Sequence, residues 1–148
     1  MTAAPDIAVV VIGRNEGARL VASLASLQGV VSRIVYVDSG STDYSLQAAR
    51  DAGAQVVELD LSVPFTAARA RNAGFAALDP KPEFVQFIDG DCMVEPGWVS
   101  AGAAALVQHE DIGIVTGWRS EINPNMRVYN ALVDFEWHRP AGDIEACG

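Results

Sequence analysis

Short, almost entirely apolar runs recur along the chain, and most are followed by a polar turn and then by apolar positions at helical spacing. The runs lack the alternation of apolar and polar residues that marks a half-exposed strand, so we predict strands covered on both faces. They occupy residues 7–12, 34–37, 55–59, 84–88 and 112–116. Strands of this kind are typical of a parallel sheet in an α/β protein.

The segments between the runs carry helical patterns. Leu20, Leu24 and Leu27 recur at helical spacing before Gly29, a residue type that commonly ends a helix. Further helices are expected after Asp43, where a helix carries Leu46 and Ala49 and ends near Gly53, and over residues 65–78, 95–109 and 123–139. We therefore predict an α/β architecture in one domain over residues 1–148, with a mostly parallel sheet flanked by helices on both faces.

Composition and charge restrict the classes of function. Half of the 148 residues are hydrophobic, as in a folded chain, and the net charge is −9. Lys and Arg are not clustered in the sequence, which argues against nucleic acid as a partner because backbone binding depends on clustered cations. We expect neither a secretory leader nor a membrane span in this stretch.

The two cysteines indicate a compartment. Cys92 and Cys147 have no recognisable metal-binding or redox spacing. We therefore predict reduced thiols in a cytoplasmic protein, and we leave open a location at the inner face of the membrane for the full-length protein.

The strand predicted at residues 84–88 ends abruptly at Asp89, Gly90 and Asp91. Open α/β sheets bind ligands beyond the carboxyl ends of their strands, which makes this a candidate site. If the chain stays extended for one more residue, both carboxylates point the same way, because side chains at i and i+2 share a face. Two carboxylates suit Mg²⁺ or Mn²⁺, whose coordination is commonly completed by substrate phosphates and water. The alternative is an ordinary Asp-Gly turn with Asp91 solvated.

Polar loops also follow the first two strands. Residues 13–17 do not match GxGxxG, so a dinucleotide-binding function loses its main support. Asp38 ends the second strand at the same edge as Asp89, and we expect it to contact the ligand. Ser41 and Thr42 are candidate N-caps of the next helix, and Asp43 is expected at the positive end of its dipole, so we expect all three to be mostly structural.

Arg69 and Arg71 lie on the helix before the carboxylate strand. The chain has only ten Lys and Arg residues, so two within three positions predict a clamp for an anionic ligand. The alternative is a solvated helix face, which applies more to Arg69 than to Arg71.

Four motifs in this order resemble the N-terminal part of glycosyltransferases of family 2, which have the GT-A fold. They are VVVIGRNEG, VDSGSTD, ARARNAGFAA and FIDGDCMVEPGW. Their order and spacing are far more specific than any one of them. The resemblance implies a nucleotide-diphosphate sugar as donor, Mn²⁺ or Mg²⁺ as cofactor, and inverting transfer in the synthesis of cell-envelope glycans or polysaccharides.

The family's roles map onto particular residues. Asp91 resembles the aspartate that coordinates the metal, and Asp89 the one that faces the ribose and supports the metal. Asp38 and Ser39 correspond to the loop that reads the base and ribose, and Arg71 to a residue that braces the base or diphosphate. The full donor-binding set implied is Ile12, Arg14, Asn15, Glu16, Asp38, Ser39, Arg71, Asp89 and Gly90, with Asp91 and Asp89 as metal ligands.

The acceptor side is less defined. The resemblance implies transfer to a hydroxyl of a glycan, lipid or protein, with a general base in an acidic motif beyond Gly148. Cys147 and Gly148 resemble the beginning of the glycine-containing segment before that motif, so we expect the chain to be the N-terminal portion of a longer protein with little turnover by itself. The sequence leaves the oligomeric state open.

Two alternatives remain at this stage. A nucleotidyltransferase that makes sugar nucleotides shares the sheet and the metal chemistry, although residues 13–16 are a poor version of its glycine-rich basic loop. A non-catalytic binding or scaffolding domain retains the fold without the reaction. Pyrophosphate release from a nucleoside triphosphate identifies the first, and metal-independent or absent nucleotide binding favours the second.

Overall fold

Four of the predicted strands form a parallel sheet in the computed structural model, which describes residues 4–138 and 140–144. The strands are β1 (Ile7–Gly13), β2 (Arg33–Asp38), β3 (Gln55–Glu58) and β4 (Phe84–Asp89), in the spatial order β3-β2-β1-β4. Every described pairing in this sheet is parallel. The predicted α/β class with a mostly parallel sheet is therefore confirmed.

The register aligns the carboxyl ends of the strands. Gly13 of β1 pairs with Asp38 of β2, and the preceding Ile12 pairs with Asp89 of β4. On the other side of β2, Asp38 pairs with Glu58. The loops that follow all four strands consequently begin at one edge of the sheet, which is where α/β sheets bind their ligands.

Helices of the first part of the chain cover both faces of the sheet, since alternate residues of a strand point to opposite sides. Helices α1 (Ala18–Leu27) and α2 (Ser45–Asp51) lie on one face and α3 (Ala67–Ala77) lies on the other. Two further helices follow in the chain, α4 (Trp98–Gln108) and α5 (Val128–Trp137). Val9 and Val11 of β1 pack with α1 and α2, whereas Val10 and Ile12 pack with α3. Strand β1 is covered on both sides and has no exposed positions, which explains its unbroken apolar run. The prediction of strands covered on both faces is wrong for β3 and β4, in which Gln55, Glu58 and Phe87 are exposed.

Helix α3 lies very close to the sheet at Gly74. A Cβ atom at this position would lie 2.3 Å from Cγ1 of Val10 and 2.9 Å from Cγ2 of Val37. Only glycine permits this approach without a shift of the neighbours. The contact fixes α3, and with it Arg69 and Arg71, against β1 and β2.

The sheet with α1, α2, α3 and the start of α4 belongs to a compact unit, Met1–Ala103, and a second unit comprises Ala104–Gly148. The structure of the second unit differs from two predictions, the strand at 112–116 and the start of the last helix. Residues 112–116 are irregular and Ile114 is exposed. A strand needs a neighbouring strand to pair its backbone groups, and the described residues of this unit include no strand.

The last helix begins later than predicted. Asn123 accepts a backbone hydrogen bond from Met126 at 3.0 Å, so this stretch forms a turn and α5 starts only at Val128. Asn-Pro favours a turn over a helix, since proline presets the second turn position. Cys147 and Gly148 lie outside the described residues. No helix in the described ranges has the length and apolar character needed to cross a bilayer.

Candidate functional site

Asn15 joins the loops after β1 and β2. Its backbone has a positive φ of 55°, a conformation that asparagine tolerates better than most residues. Its N–H donates to Oγ of Ser41 at 2.9 Å, and its Oδ1 accepts from the N–H of Thr42 at 2.7 Å. The two loops are therefore held together as one surface at the edge of the sheet.

Asp38 is buried within its own loop, with 2% of its surface exposed. Its Oδ2 accepts from the N–H groups of Gly40 and Ser41, both at 2.8 Å, and its Oδ1 accepts from the hydroxyls of Ser41 and Tyr36. Burial raises the pKa of Tyr36, so its phenol stays protonated and donates. In this structure Asp38 shapes the loop, and its direct contact with a ligand stays a prediction.

The start of α2 differs in detail from expectation. Ser41 and Thr42 are not its caps, because Ser41 bonds to Asp38 and both residues bond to Asn15. Asp43 instead accepts from the N–H of Ser45 at 2.9 Å, and the hydrogen bonds from Ser45 hold the pKa of Asp43 below its usual value. The prediction of an acidic residue at the positive end of this helix is confirmed.

A cavity of about 260 Å³ opens beside these loops. It is lined by Arg14, Ser39, Leu59, Leu61, Val63, Pro64, Phe65 and Arg69. The hydroxyl of Ser39 is buried and has no hydrogen-bond partner, although buried polar groups are nearly always paired. The cavity thus combines apolar walls with an unused hydroxyl and two arginines, a composition typical of a small-molecule pocket.

The carboxylate segment forms a turn, which corrects the expectation that it stays extended beyond β4. The N–H of Cys92 donates to the carbonyl of Asp89 at 3.0 Å, so the chain reverses around Gly90 and Asp91. Alternation along a strand therefore does not apply to Asp91, which is exposed in the turn. The side chain of Asp89, at the end of β4, is also about half exposed.

Gly90 and Glu16 attach this turn to the loop after β1. The N–H of Gly90 donates to the carbonyl of Ile12 at 2.8 Å, and a Cβ at Gly90 would lie 3.3 Å from Cγ of Glu16. The close approach at Gly90 therefore involves the protein's own backbone and side chains. The Ile12 side chain is in the core, and its carbonyl is what it contributes at this edge.

The guanidinium of Arg71 lies beside the Asp89 carboxylate. The sequence alone does not predict this contact. Nη2 of Arg71 is 2.9 Å from Oδ1 of Asp89, and the two side chains are 40% and 52% exposed. A pair this exposed contributes only about 0–1 kcal/mol, so it leaves both groups available to a ligand. Arg71 and Asp89 are thus brought together, as expected of residues that serve one site.

The side-chain types at this turn, two carboxylates, suit a divalent cation that is shared with a ligand. Within the described ranges, no group of three or more His, Cys, Asp or Glu side chains is arranged to hold a metal. Asp89 and Asp91 can supply two carboxylates, and Mg²⁺ is commonly bound by one or two carboxylates together with substrate phosphates. The protein's own ligands would therefore be completed by a phosphorylated molecule.

The cavity wall formed by residues 60–65 and the position of Arg69 beside it were not predicted from the sequence. A signal was available in the apolar residues at alternate positions after the predicted strand at 55–59, namely Leu61, Val63 and Phe65. The predicted donor-binding residues lie at the ends of β1, β2 and β4, on the loops that follow these strands, and on α3. Their roles stay predictions.

A family model and solved structures that resemble this chain agree with each other. The model of the family "Glycosyl transferase family 2" matches residues 8–145. Glucosyl-3-phosphoglycerate synthase from Mycobacterium tuberculosis, solved with Mn²⁺, UDP and glucosyl-3-phosphoglycerate, superposes with a TM-score of 0.61 at 30% identity, over 73% of this chain and 42% of the synthase. No curated protein sequence matched this chain.

Two further structures of the same synthase are similarly close. One contains Mg²⁺ and UDP, and the other contains Mn²⁺, UDP-glucose and phosphoglyceric acid. Each has a TM-score of 0.60 and 30% identity, and covers 73% of this chain and 41% of the synthase. The chain therefore spans less than half the length of the solved proteins that it matches.

Proposed function

The chain belongs to glycosyl transferase family 2, and from this membership we propose that it binds a nucleoside-diphosphate sugar with Mn²⁺ or Mg²⁺ for transfer of the sugar to an acceptor hydroxyl. The observation that carries the proposal is the arrangement of one sheet edge, where a cavity with an unpaired hydroxyl lies on the β2 side and two carboxylates lie on the β4 side. β1 separates the two, so they are about 10 Å apart at a strand spacing of about 4.8 Å.

The cavity suits the base of the nucleotide. Its volume of about 260 Å³ is just below the roughly 300–1,000 Å³ of pockets that enclose whole small-molecule ligands. The flat faces of a base would pack on Leu61 and Phe65, and its polar edge would meet the Ser39 hydroxyl. Arg14, which also lines the cavity, would present a planar guanidinium to the ring.

The diphosphate would then extend across the end of β1 towards Asp89 and Asp91. These two carboxylates would hold the divalent cation, which offsets the negative charge that grows on the leaving diphosphate as the glycosidic bond breaks. Arg71 already lies at Asp89, and its guanidinium can donate to phosphate oxygens from that position. UDP is the first candidate nucleotide, because the similar synthase was solved with it.

The finer features of the reaction are also part of the proposal. Transfer would proceed with inversion at the sugar carbon, and the general base for the acceptor hydroxyl would lie in sequence beyond Gly148. The synthase binds phosphoglyceric acid, whereas the acceptor of this chain is proposed only as a hydroxyl of a glycan, lipid or protein.

A panel of nucleotides tests donor binding directly. UDP, GDP, CDP and dTDP would each be added with Mn²⁺, Mg²⁺ or a chelator, and the unfolding temperature measured. A ligand at about 100 times its Kd stabilises by about 2.7 kcal/mol, which raises Tm by roughly 5 to 10 °C for a domain of this size. We expect a metal-dependent rise with at least one nucleotide.

The Asp91→Asn variant provides the matched test of the metal ligands. We expect it to lose the metal-dependent part of the rise while it keeps its unfolding temperature without ligand, since Asp91 is exposed. An unchanged rise with Mn²⁺ would contradict the assignment of Asp91. Release of pyrophosphate from a nucleoside triphosphate and a sugar phosphate would instead identify a nucleotidyltransferase.

A further inference from the structure

Residues 60–65, here called the wall segment, form one side of the cavity without regular secondary structure. The segment connects β3 to α3 and carries three exposed apolar side chains, Leu61, Val63 and Phe65. Apolar side chains on an irregular segment bury little surface of their own, so packing alone holds such a segment weakly. Other contacts must keep it beside the cavity.

Arg69 supplies such contacts from the first turn of α3. Its Nη1 donates to the carbonyl of Val63 at 3.0 Å, and its Nη2 donates to the carbonyl of Asp60 at 2.9 Å. Its backbone N–H donates to Oγ1 of Thr66, the N-cap of α3, at 3.1 Å. Hydrogen bonds from a charged donor are stronger than neutral ones, so this arginine holds the wall segment to the helix at its first residue and at Val63.

The wall segment also reaches across to the loop after β2. Leu61 lies so close to Gly40 that a Cβ there would be 2.9 Å from its Cδ2 atom. Gly40 directly follows Ser39, whose buried hydroxyl has no partner. Leu61 is therefore held near Ser39 from one side by this contact and from the other by Arg69.

We propose that Arg69 is a positioning residue for the nucleobase pocket. Its guanidinium is engaged by backbone carbonyls, and it acts on the ligand through the wall segment that it holds in place. The inference rests on the proposed function, since it assumes that the cavity binds the base. It predicts that Arg69 contributes to recognition of the base and makes no contribution to recognition of the diphosphate.

The test compares two probes on variants of the chain. Calorimetry would measure the affinity for UDP with Mn²⁺ and, separately, for inorganic pyrophosphate with Mn²⁺, which has no base. We expect Arg69→Met to weaken UDP binding about tenfold, the effect of losing roughly one charged hydrogen bond. Pyrophosphate binding should stay within about twofold of wild type. Arg69→Lys, which can donate to one carbonyl, should lie between wild type and Arg69→Met.

Two further variants exclude other causes. Arg50→Met removes the same charge at an arginine away from the cavity, which pairs with Glu58 at 3.0 Å, and should leave both affinities unchanged. Leu61→Ser alters the wall segment at a side chain that is 70% exposed, and should reproduce the selective loss of UDP binding without unfolding the chain.

The outcomes separate this inference from the proposed function. Equal weakening of UDP and pyrophosphate by Arg69→Met, or wild-type UDP affinity in that variant, overturns the positioning role and leaves donor binding intact. Failure of the wild-type chain to bind any of the four nucleotides with Mn²⁺ overturns the proposed function, and this inference with it.

Discussion

Replacement of Gly74 by alanine tests how closely α3 packs on the sheet. In an exposed helix this change stabilises a protein by about 1 kcal/mol, because alanine is the better helix former. At Gly74 the added Cβ would lie 2.3 Å from Cγ1 of Val10, where carbon atoms normally stay about 3.5 Å or more apart. Helix and strand must therefore separate by about 1 Å.

The neighbouring side chains cannot absorb this shift cheaply. Val10 and Val37 are fully buried, and valine has few alternative rotamers. Overpacking of this kind costs up to about 3 kcal/mol. After subtraction of the helix-propensity gain of about 1 kcal/mol, we expect a net loss of about 2 kcal/mol, or roughly 4 to 8 °C in Tm.

Gly102 provides the matched control, because it also lies within a helix, α4. The nearest atom to a Cβ at Gly102 is Cζ2 of Trp98 at 3.8 Å, an ordinary contact. Gly102→Ala should therefore raise Tm slightly while Gly74→Ala lowers it. In a Val10→Ala background, Gly74→Ala should cost less than in wild type, because the closest atoms are gone.

The assay is thermal unfolding followed by circular dichroism, with UDP affinity measured on the same samples. Displacement of α3 also moves Arg69 and Arg71, so UDP binding should weaken together with stability. A Gly74→Ala variant as stable as wild type would refute the close packing of α3 and the account of how these arginines are positioned.

Two further predictions concern the loops at the edge of the sheet. Asp38→Asn should destabilise the protein by about 2 to 4 kcal/mol, because an amide can accept on only one of its two atoms and leaves buried donors unpaired. The control is Asp111→Asn, at an exposed position. Equal Tm values for the two variants in thermal unfolding would contradict the loop-shaping role of Asp38. Asp43 has a folded-state pKa below its ordinary value of 3.8, caused first by the hydrogen bond from the Ser45 side chain. Its contribution to stability should therefore be present at pH 6 and disappear as the pH falls below about 4, where the unfolded state takes up the proton first. The difference in Tm between wild type and Asp43→Asn, measured from pH 6 to pH 3, should shrink toward acid pH, and a constant difference would oppose this explanation.

Much of the candidate site could be predicted from local sequence, because it lies where strands end. A buried strand followed by polar residues identifies an edge position, and the ends of parallel strands share one edge. Asp38, Asp89 and the loop after β1 were found in this way. The pairing of Arg71 with Asp89 and the wall segment held by Arg69 depend on how α3 docks, which no spacing along the chain expresses.

Apolar strands and helical periodicity are enough to predict the sheet and its covering helices, because such elements have few stable arrangements. The turn at Gly90, the burial of Asp38 and the irregular conformation of residues 112–116 became visible only in the folded chain. The two sets of features differ in the range of the interactions that cause them. Periodicity reports which face of an element is buried, whereas hydrogen bonds and strand pairing depend on partners that are distant along the chain.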